Sequence, residues 1–226
     1  MARREVPDEV EAIRRGIEQC LSATDQDGKV ISNAKYGVYA FYDYDGEPIY
    51  VGQTMERLRV RIRRHLTNQR TDAVAMNVLD PFEVAEIEMW PFFELEDRQR
   101  TTEEVKNTLN AAEYTVFNEV LGKSSFSAVL NEKPITSSNM IGLPQSFRKR
   151  IIPDELYELR KHPDIRIARR ANTIARLAQV ISERSVSKGL RHTLVVQAQR
   201  LERLAANRLA EFFDEPDDSD LDESND

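Results

Sequence analysis

Two short aromatic triplets carry the first chemical signal in this chain. Gly37-Val38-Tyr39 and Tyr50-Val51-Gly52 are separated by ten residues, each within a run of strand-forming residues, so neighbouring strands offer two phenol hydroxyls. Downstream, Arg61 and His65 are four residues apart in a helical stretch and share a face. Glu113 sits inside a later helix, and Asn131 lies in the loop after it. A guanidinium such as Arg61 presents a fixed fork of donors that matches phosphate oxygens. A lone carboxylate such as Glu113 suits Mg²⁺, which keeps several waters. Phosphodiester hydrolysis needs a deprotonated water, in-line attack, and stabilisation of charge on the phosphate and leaving oxygen. Each residue also has a plainer explanation when taken singly. Tyr39 and Tyr50 could be packed strand aromatics. Arg61 could belong to a solvated run with Arg57, Arg59, Arg63 and Arg64, and His65 could answer a helix dipole. Glu113 could be surface charge beside Glu103, Glu104 and Glu119, and Asn131 a turn residue before Pro134.

The elements that must position these residues are legible from period. Val10, Ile13, Ile17 and Leu21 mark an amphipathic helix over 8–22. Residues 36–44 and 48–52 read as strands joined by an Asp45-Gly46 turn, a β-hairpin. Leu58, Ile62 and Leu66 give a helix over 55–67 and fix its buried stripe, with Arg61 and His65 beside it. Residues 82–90 alternate apolar and acidic with one slip at Ala85, a third strand with one buried face. A helix over 101–121 opens on capping chemistry (Thr101 to Glu104) with Gly122 just past its end. Residues 124–140 read as a polar loop and 144–150 as a basic connector. From Pro153 the chain is wholly helical, with starts at Pro153-Asp154 and Pro163-Asp164.

The order of these parts resembles the GIY-YIG nuclease family. The resemblance runs through Gly37–Tyr39, Tyr50–Gly52, Arg61, His65, Glu113 and Asn131, and covers about residues 36–134. Valine stands for isoleucine in both triplets, and the interval from Glu113 to Asn131 is long for the pattern. The resemblance implies a small α+β domain with a central antiparallel three-stranded sheet flanked by helices. It implies Glu113 as the single ligand of a divalent metal, Mg²⁺ or Mn²⁺. It implies Tyr39 as general base, which needs help because a free tyrosine has a pKa of about 10, with His65 accepting its proton. Tyr50 would orient the water or phosphate, and Asn131 would position the metal-bearing segment or the phosphate. The implied partner is DNA, and the implied settings are restriction, repair and mobile elements.

Composition bounds the remaining classes. The chain has 226 residues, 40% hydrophobic and 31% charged, enough for a core in a polar protein. Cys20 is the lone cysteine, which excludes a disulfide scaffold and a Cys-based zinc site. No apolar run approaches the ~20 residues of a membrane span, and no apolar targeting segment follows the charged start, so a cytoplasmic protein is expected. Eight acids and no base occupy the last thirteen residues; without them the net charge moves from −7 to +1. Residues 153–211 hold twelve Lys/Arg against seven Asp/Glu, charge that raises affinity for phosphates without specifying sequence.

The expected organisation is an N-terminal helical segment (1–29), a nuclease-like domain (30–142), a helical accessory region for DNA contact or dimerisation (150–213), and an acidic disordered tail (214–226). The expected function is a metal-dependent DNA endonuclease; one of restriction type would cut both strands, most simply as a homodimer. The alternatives are a catalytically inactive nucleic-acid-binding module on the same scaffold, and a structural helical interaction protein.

Overall fold

The apolar period of the first segment produces the helix it predicts. In the computed structural model, which describes residues 7–67, 78–96, 101–131 and 134–214, α1 spans Asp8–Leu21 and buries Ile17, Cys20 and Leu21. The hairpin forms as β1 (Gly37–Tyr42) and β2 (Pro48–Thr54), paired antiparallel with Tyr39 opposite Gly52 and Phe41 opposite Tyr50. Its turn is built on Asp43, whose Oδ1 accepts from the backbone N–H groups of Asp45 (2.9 Å) and Glu47 (3.0 Å). Gly46 supplies the positive φ, +75°.

Helix α2 (Leu58–Thr67) starts three residues later than the period predicts, because Thr54 closes its own turn onto Glu56. Strand β3 (Glu86–Pro91) pairs antiparallel with β1. The slip at Ala85 marks the strand's entry: Pro81–Glu83 is a single 3₁₀ turn capped by Asp80, and alternation begins only beyond Ala85. Helix α3 (Thr102–Lys123) opens on the expected capping box of Thr101 and Glu104, and runs through Gly122 to Lys123.

The sheet has four strands where three were expected. Residues Phe147–Arg150, read from sequence as a basic connector, form β4 on the outer edge of β3, giving the order β2-β1-β3-β4. Phe-Arg-Lys-Arg has no apolar alternation. What makes it a strand is its partner, whose acids Glu86 and Glu88 stand opposite Arg150 and Arg148. The chain closes with α4 (Asp154–Lys161), α5 (Pro163–Glu183) and α6 (Lys188–Asp214), so both Pro-Asp pairs do start helices.

Alternation along the strands sorts the core into two sides. Val38, Ala40, Val51 and Trp90 face α3, packing on Val105, Leu109, Ala112 and Val116. Tyr39, Phe41, Ile87 and Met89 face the other way, toward Ile17 and Leu21 of α1 and Leu58 and Ile62 of α2. Leu177, Leu190 and Val196 of α5 and α6 enter that same cluster. The Cys20 thiol is buried there, and burial pushes its pKa up to about 12. No described helix is long and apolar enough to cross a membrane. The acidic stretch expected at 214–226 lies outside the described residues beyond Asp214.

Candidate functional site

Both tyrosines project from the hairpin toward α2, and glycine makes room for them. A Cβ on Gly52 would lie 2.7 Å from the Tyr39 hydroxyl and 2.8 Å from the Tyr50 ring. A Cβ on Gly37 would lie 2.7 Å from Leu58, the first residue of α2. The outer glycines of the two triplets are therefore space for rings and for the helix.

Helix α2 closes over the phenols. The Tyr39 hydroxyl lies 2.9 Å from His65 Nε2, and Arg61 Nε donates to the same hydroxyl at 3.3 Å. The Tyr50 ring lies 5.1 Å from His65 and 6.1 Å from Tyr39, centre to centre, tilted against both. Tyr39 is fully buried and His65 is 1% exposed. Burial dominates their acid–base chemistry. It raises the Tyr39 hydroxyl well above the ordinary tyrosine value, with Tyr50 adding to the rise and Arg61 opposing it. It lowers His65 to about 3, helped by the positive charges of Arg61 and Arg64. Tyr50 is raised by burial, against the pull of Arg61. His65 Nδ1 is buried with no hydrogen-bond partner among the described residues.

Glu113 reaches this group around the edge of the sheet. Strand β2 is outermost, so alternate backbone groups point away from β1 and need partners. Leu130 N–H donates to Ile49 C=O (2.9 Å). The Asn131 side chain takes both groups of Val51, accepting from its N–H (3.0 Å) and donating to its C=O (2.7 Å). Glu113 accepts from the Gln53 backbone N–H and from the Gln53 side-chain amide at 3.1 Å. Burial raises the Glu113 carboxyl; the Gln53 hydrogen bonds and the Arg61 charge oppose that rise.

Tyr39, Tyr50, Arg61 and His65 thus form one cluster, with Glu113 in electrostatic reach of Arg61 and both phenols. Asn131 stands apart in kind: both its polar atoms are spent on Val51, so it fixes the strand that carries Tyr50. Two further residues join the site. Gln53 bridges Glu113 and Asn110, donating to Asn110 Oδ1 at 2.7 Å. Gln53 directly follows the second triplet, and Asn110 lies one turn before Glu113 on the same helix face. Position alone could have flagged them, but neither residue type did.

The donor chemistry at Glu113 fits a hard cation. One carboxylate with a neighbouring amide oxygen leaves the remaining positions to water, as Mg²⁺ prefers. Among the described residues no group of three His, Cys, Asp or Glu side chains is placed to hold a metal, which speaks against a closed zinc-type site.

The GIY-YIG catalytic domain model matches residues 35–114. That span holds both triplets, Arg61, His65 and Glu113, and ends before Asn131. The chain matches no curated protein and no solved structure.

Proposed function

We propose, from the match of residues 35–114 to the GIY-YIG catalytic domain, that this chain is a divalent-metal-dependent DNA endonuclease using Tyr39, Tyr50, Arg61, His65 and Glu113. The observation that carries the reading is the three-way contact of Tyr39 with His65 and Arg61 beside a carboxylate whose hydrogen bonds come from Gln53 alone among the described residues.

In this reading Arg61 uses Nε on Tyr39 and offers its other donors to a non-bridging phosphate oxygen. The Tyr39 proton passes to His65 Nε2, and the tyrosinate takes a proton from water. The water oxygen attacks phosphorus, and the P–O bond opposite it breaks. Without substrate the two pKa shifts oppose the first transfer: Tyr39 holds its proton and His65 stays neutral. An arriving phosphate is anionic, so it favours the imidazolium and offsets the charge of Arg61. Glu113 would hold the metal ion, which when bound supplies Lewis-acid stabilisation of phosphate and leaving-oxygen charge. Tyr50, beside His65, orients the water or the phosphate.

The test is incubation with plasmid, linear duplex, branched and single-stranded DNA, in Mg²⁺ or Mn²⁺ and in chelator, beside Glu113→Ala. Metal-dependent cutting that Glu113→Ala abolishes is the expected result. Salt-sensitive binding without cutting on any substrate would replace it with the inactive binding module. Cutting that survives Glu113→Ala would remove Glu113 from its role.

A further inference from the structure

The basic side chains of the C-terminal helices divide into two populations. One is consumed inside the protein. Arg166 pairs with Asp45, Arg170 with Asp43, Arg169 with Glu83, Arg200 with Glu47 and Arg208 with Asp164. Arg166, Arg170 and Arg200 are at most 5% exposed, out of reach of any phosphate. The other population is exposed and makes no hydrogen bond, ion pair or aromatic-ring contact among the described residues: Arg176, Arg184, Lys188 and Arg191. Three of these four fall within eight residues, at the corner where α5 turns into α6.

The corner is predominantly basic. From residue 184 to 201 there is no Asp or Glu, and Glu183 at its margin is engaged by Gln179 at 2.8 Å. Lys188 and Arg191 are three residues apart, so they share a face of α6. It is opposed to the buried face of Leu190, Thr193, Val196 and Gln197. The direction of α6 ties this corner to the hairpin. Arg200 donates to the carbonyls of Pro48 (3.0 Å) and Ala128 (3.1 Å). Arg200 and Gln197, one turn nearer the helix start, line a small cavity with Asp43, Ile49, Asp80 and Leu130. Residues 197–200 of α6 therefore lie beside the hairpin at Pro48 and Ile49 and beside the loop at 128–130. The corner lies about twelve residues before Arg200 on the same helix, about 18 Å along its axis.

We propose that the α5–α6 corner is a phosphate-backbone contact, in which Arg184, Lys188 and Arg191 hold duplex DNA flanking the phosphate that the Tyr39 site engages. The inference rests on the nuclease reading and adds the surface that grips the substrate. A polyanion is the occupant the charge selects; a second copy of this chain would bring like charges together.

The decisive experiment uses the full chain with Arg184, Lys188 and Arg191 all changed to Ala. Duplex binding is titrated in chelator across a series of salt concentrations, and single-turnover cleavage is measured at saturating DNA in Mg²⁺. Each lost phosphate contact removes about 0.9 from the slope of log affinity against log salt. The triple variant should therefore lose about 2.7 of slope and at least roughly tenfold in affinity at moderate salt. Its saturated cleavage rate and melting temperature should stay at the wild-type values. The control is Arg14→Ala with Arg15→Ala, two exposed bases on α1, which should leave affinity within about twofold. A cutting wild type whose triple variant binds unchanged, or whose α1 control loses as much, overturns the corner alone. A wild type that neither binds nor cuts overturns the nuclease reading and the corner with it. Self-association lost in the triple variant, with DNA binding intact, would assign the corner to a second copy.

Discussion

At the scale of single residues, the unusual group is His65. It is 1% exposed, it faces Arg61 and Arg64, and no carboxylate orients its second nitrogen among the described residues. A histidine held this way stays neutral at physiological pH. The same shift reports on stability. The unfolded chain protonates this imidazole near its ordinary value of 6.5, whereas the folded protein resists protonation down to about 3. His65 therefore contributes stability that is complete above pH 6.5 and is lost progressively as pH falls toward 3, by up to about 1.4 kcal/mol per pH unit. Chemical denaturation of wild type and His65→Gln at stepped pH checks this. The wild type should lose more stability than the variant between pH 6.5 and 4, and parallel curves would contradict the shift. The tyrosines were legible because each sits in a triplet whose glycine is needed for space. Gln53 and Asn110 were not, because an amide on a strand edge and an amide on a helix read as ordinary surface residues.

At the scale of elements, the edge of β2 decides whether the site holds together. Its outward backbone groups are met in sequence by Leu130, Asn131 and Glu113, so one strand edge links the loop after α3 to the candidate metal ligand. Asn131→Ala removes both partners of Val51. Leaving those groups unpaired should cost about 2 kcal/mol, read as a lower denaturation midpoint, and should slow cleavage by loosening Tyr50. Asn131→Asp keeps the acceptor and sets a carboxylate against the Val51 carbonyl, so it should rescue little. Wild-type stability in Asn131→Ala would show that water satisfies the edge. Sequence pattern found α1, both hairpin strands, α3 and the two Pro-Asp helix starts, because their signals are local: period, turn and cap. It missed β4 because Arg148 and Arg150 become strand residues only opposite Glu86 and Glu88, some sixty positions away. It placed Asn131 near the site, but its target, the backbone of Val51, is set by tertiary contact.

At the scale of the whole molecule, the C-terminal helices clamp the hairpin turn. Arg166 binds Asp45 through two hydrogen bonds (2.8 and 2.6 Å), and Arg170 binds Asp43 at 2.7 Å. Burial alone would raise the Asp45 carboxyl, but the hydrogen bonds and charge of Arg166 hold it below its usual range. Asp43 is 2% exposed and also shapes the turn. Asp43→Ala removes the shortest ion pair of Arg170, leaving it Glu83 at 3.3 Å and Asp45 at 4.0 Å, and should cost about 1–3 kcal/mol. Thermal unfolding of the variant checks this, and a change under about 0.5 kcal/mol would mean that Glu83 and Asp45 suffice for Arg170. The arginine-rich helices read from sequence as a phosphate-binding surface. Composition cannot separate an arginine that will meet DNA from one that will meet an aspartate more than a hundred residues upstream.

That separation along the chain sets an order of events during synthesis. The residues that clamp the turn follow Asp43 and Asp45 by 127 and 121 positions, and Arg200 reaches back 152 positions to Pro48. A ribosome making this protein releases the tyrosine-bearing strands long before the counter-charges for their turn exist. The emerging hairpin carries Asp43, Asp45 and Glu47 without their arginines until most of the chain has been translated, and contacts this distant in sequence form late. The clamp on the tyrosine hairpin is in this way tied to synthesis of α5 and α6, so a product terminated before them lacks it.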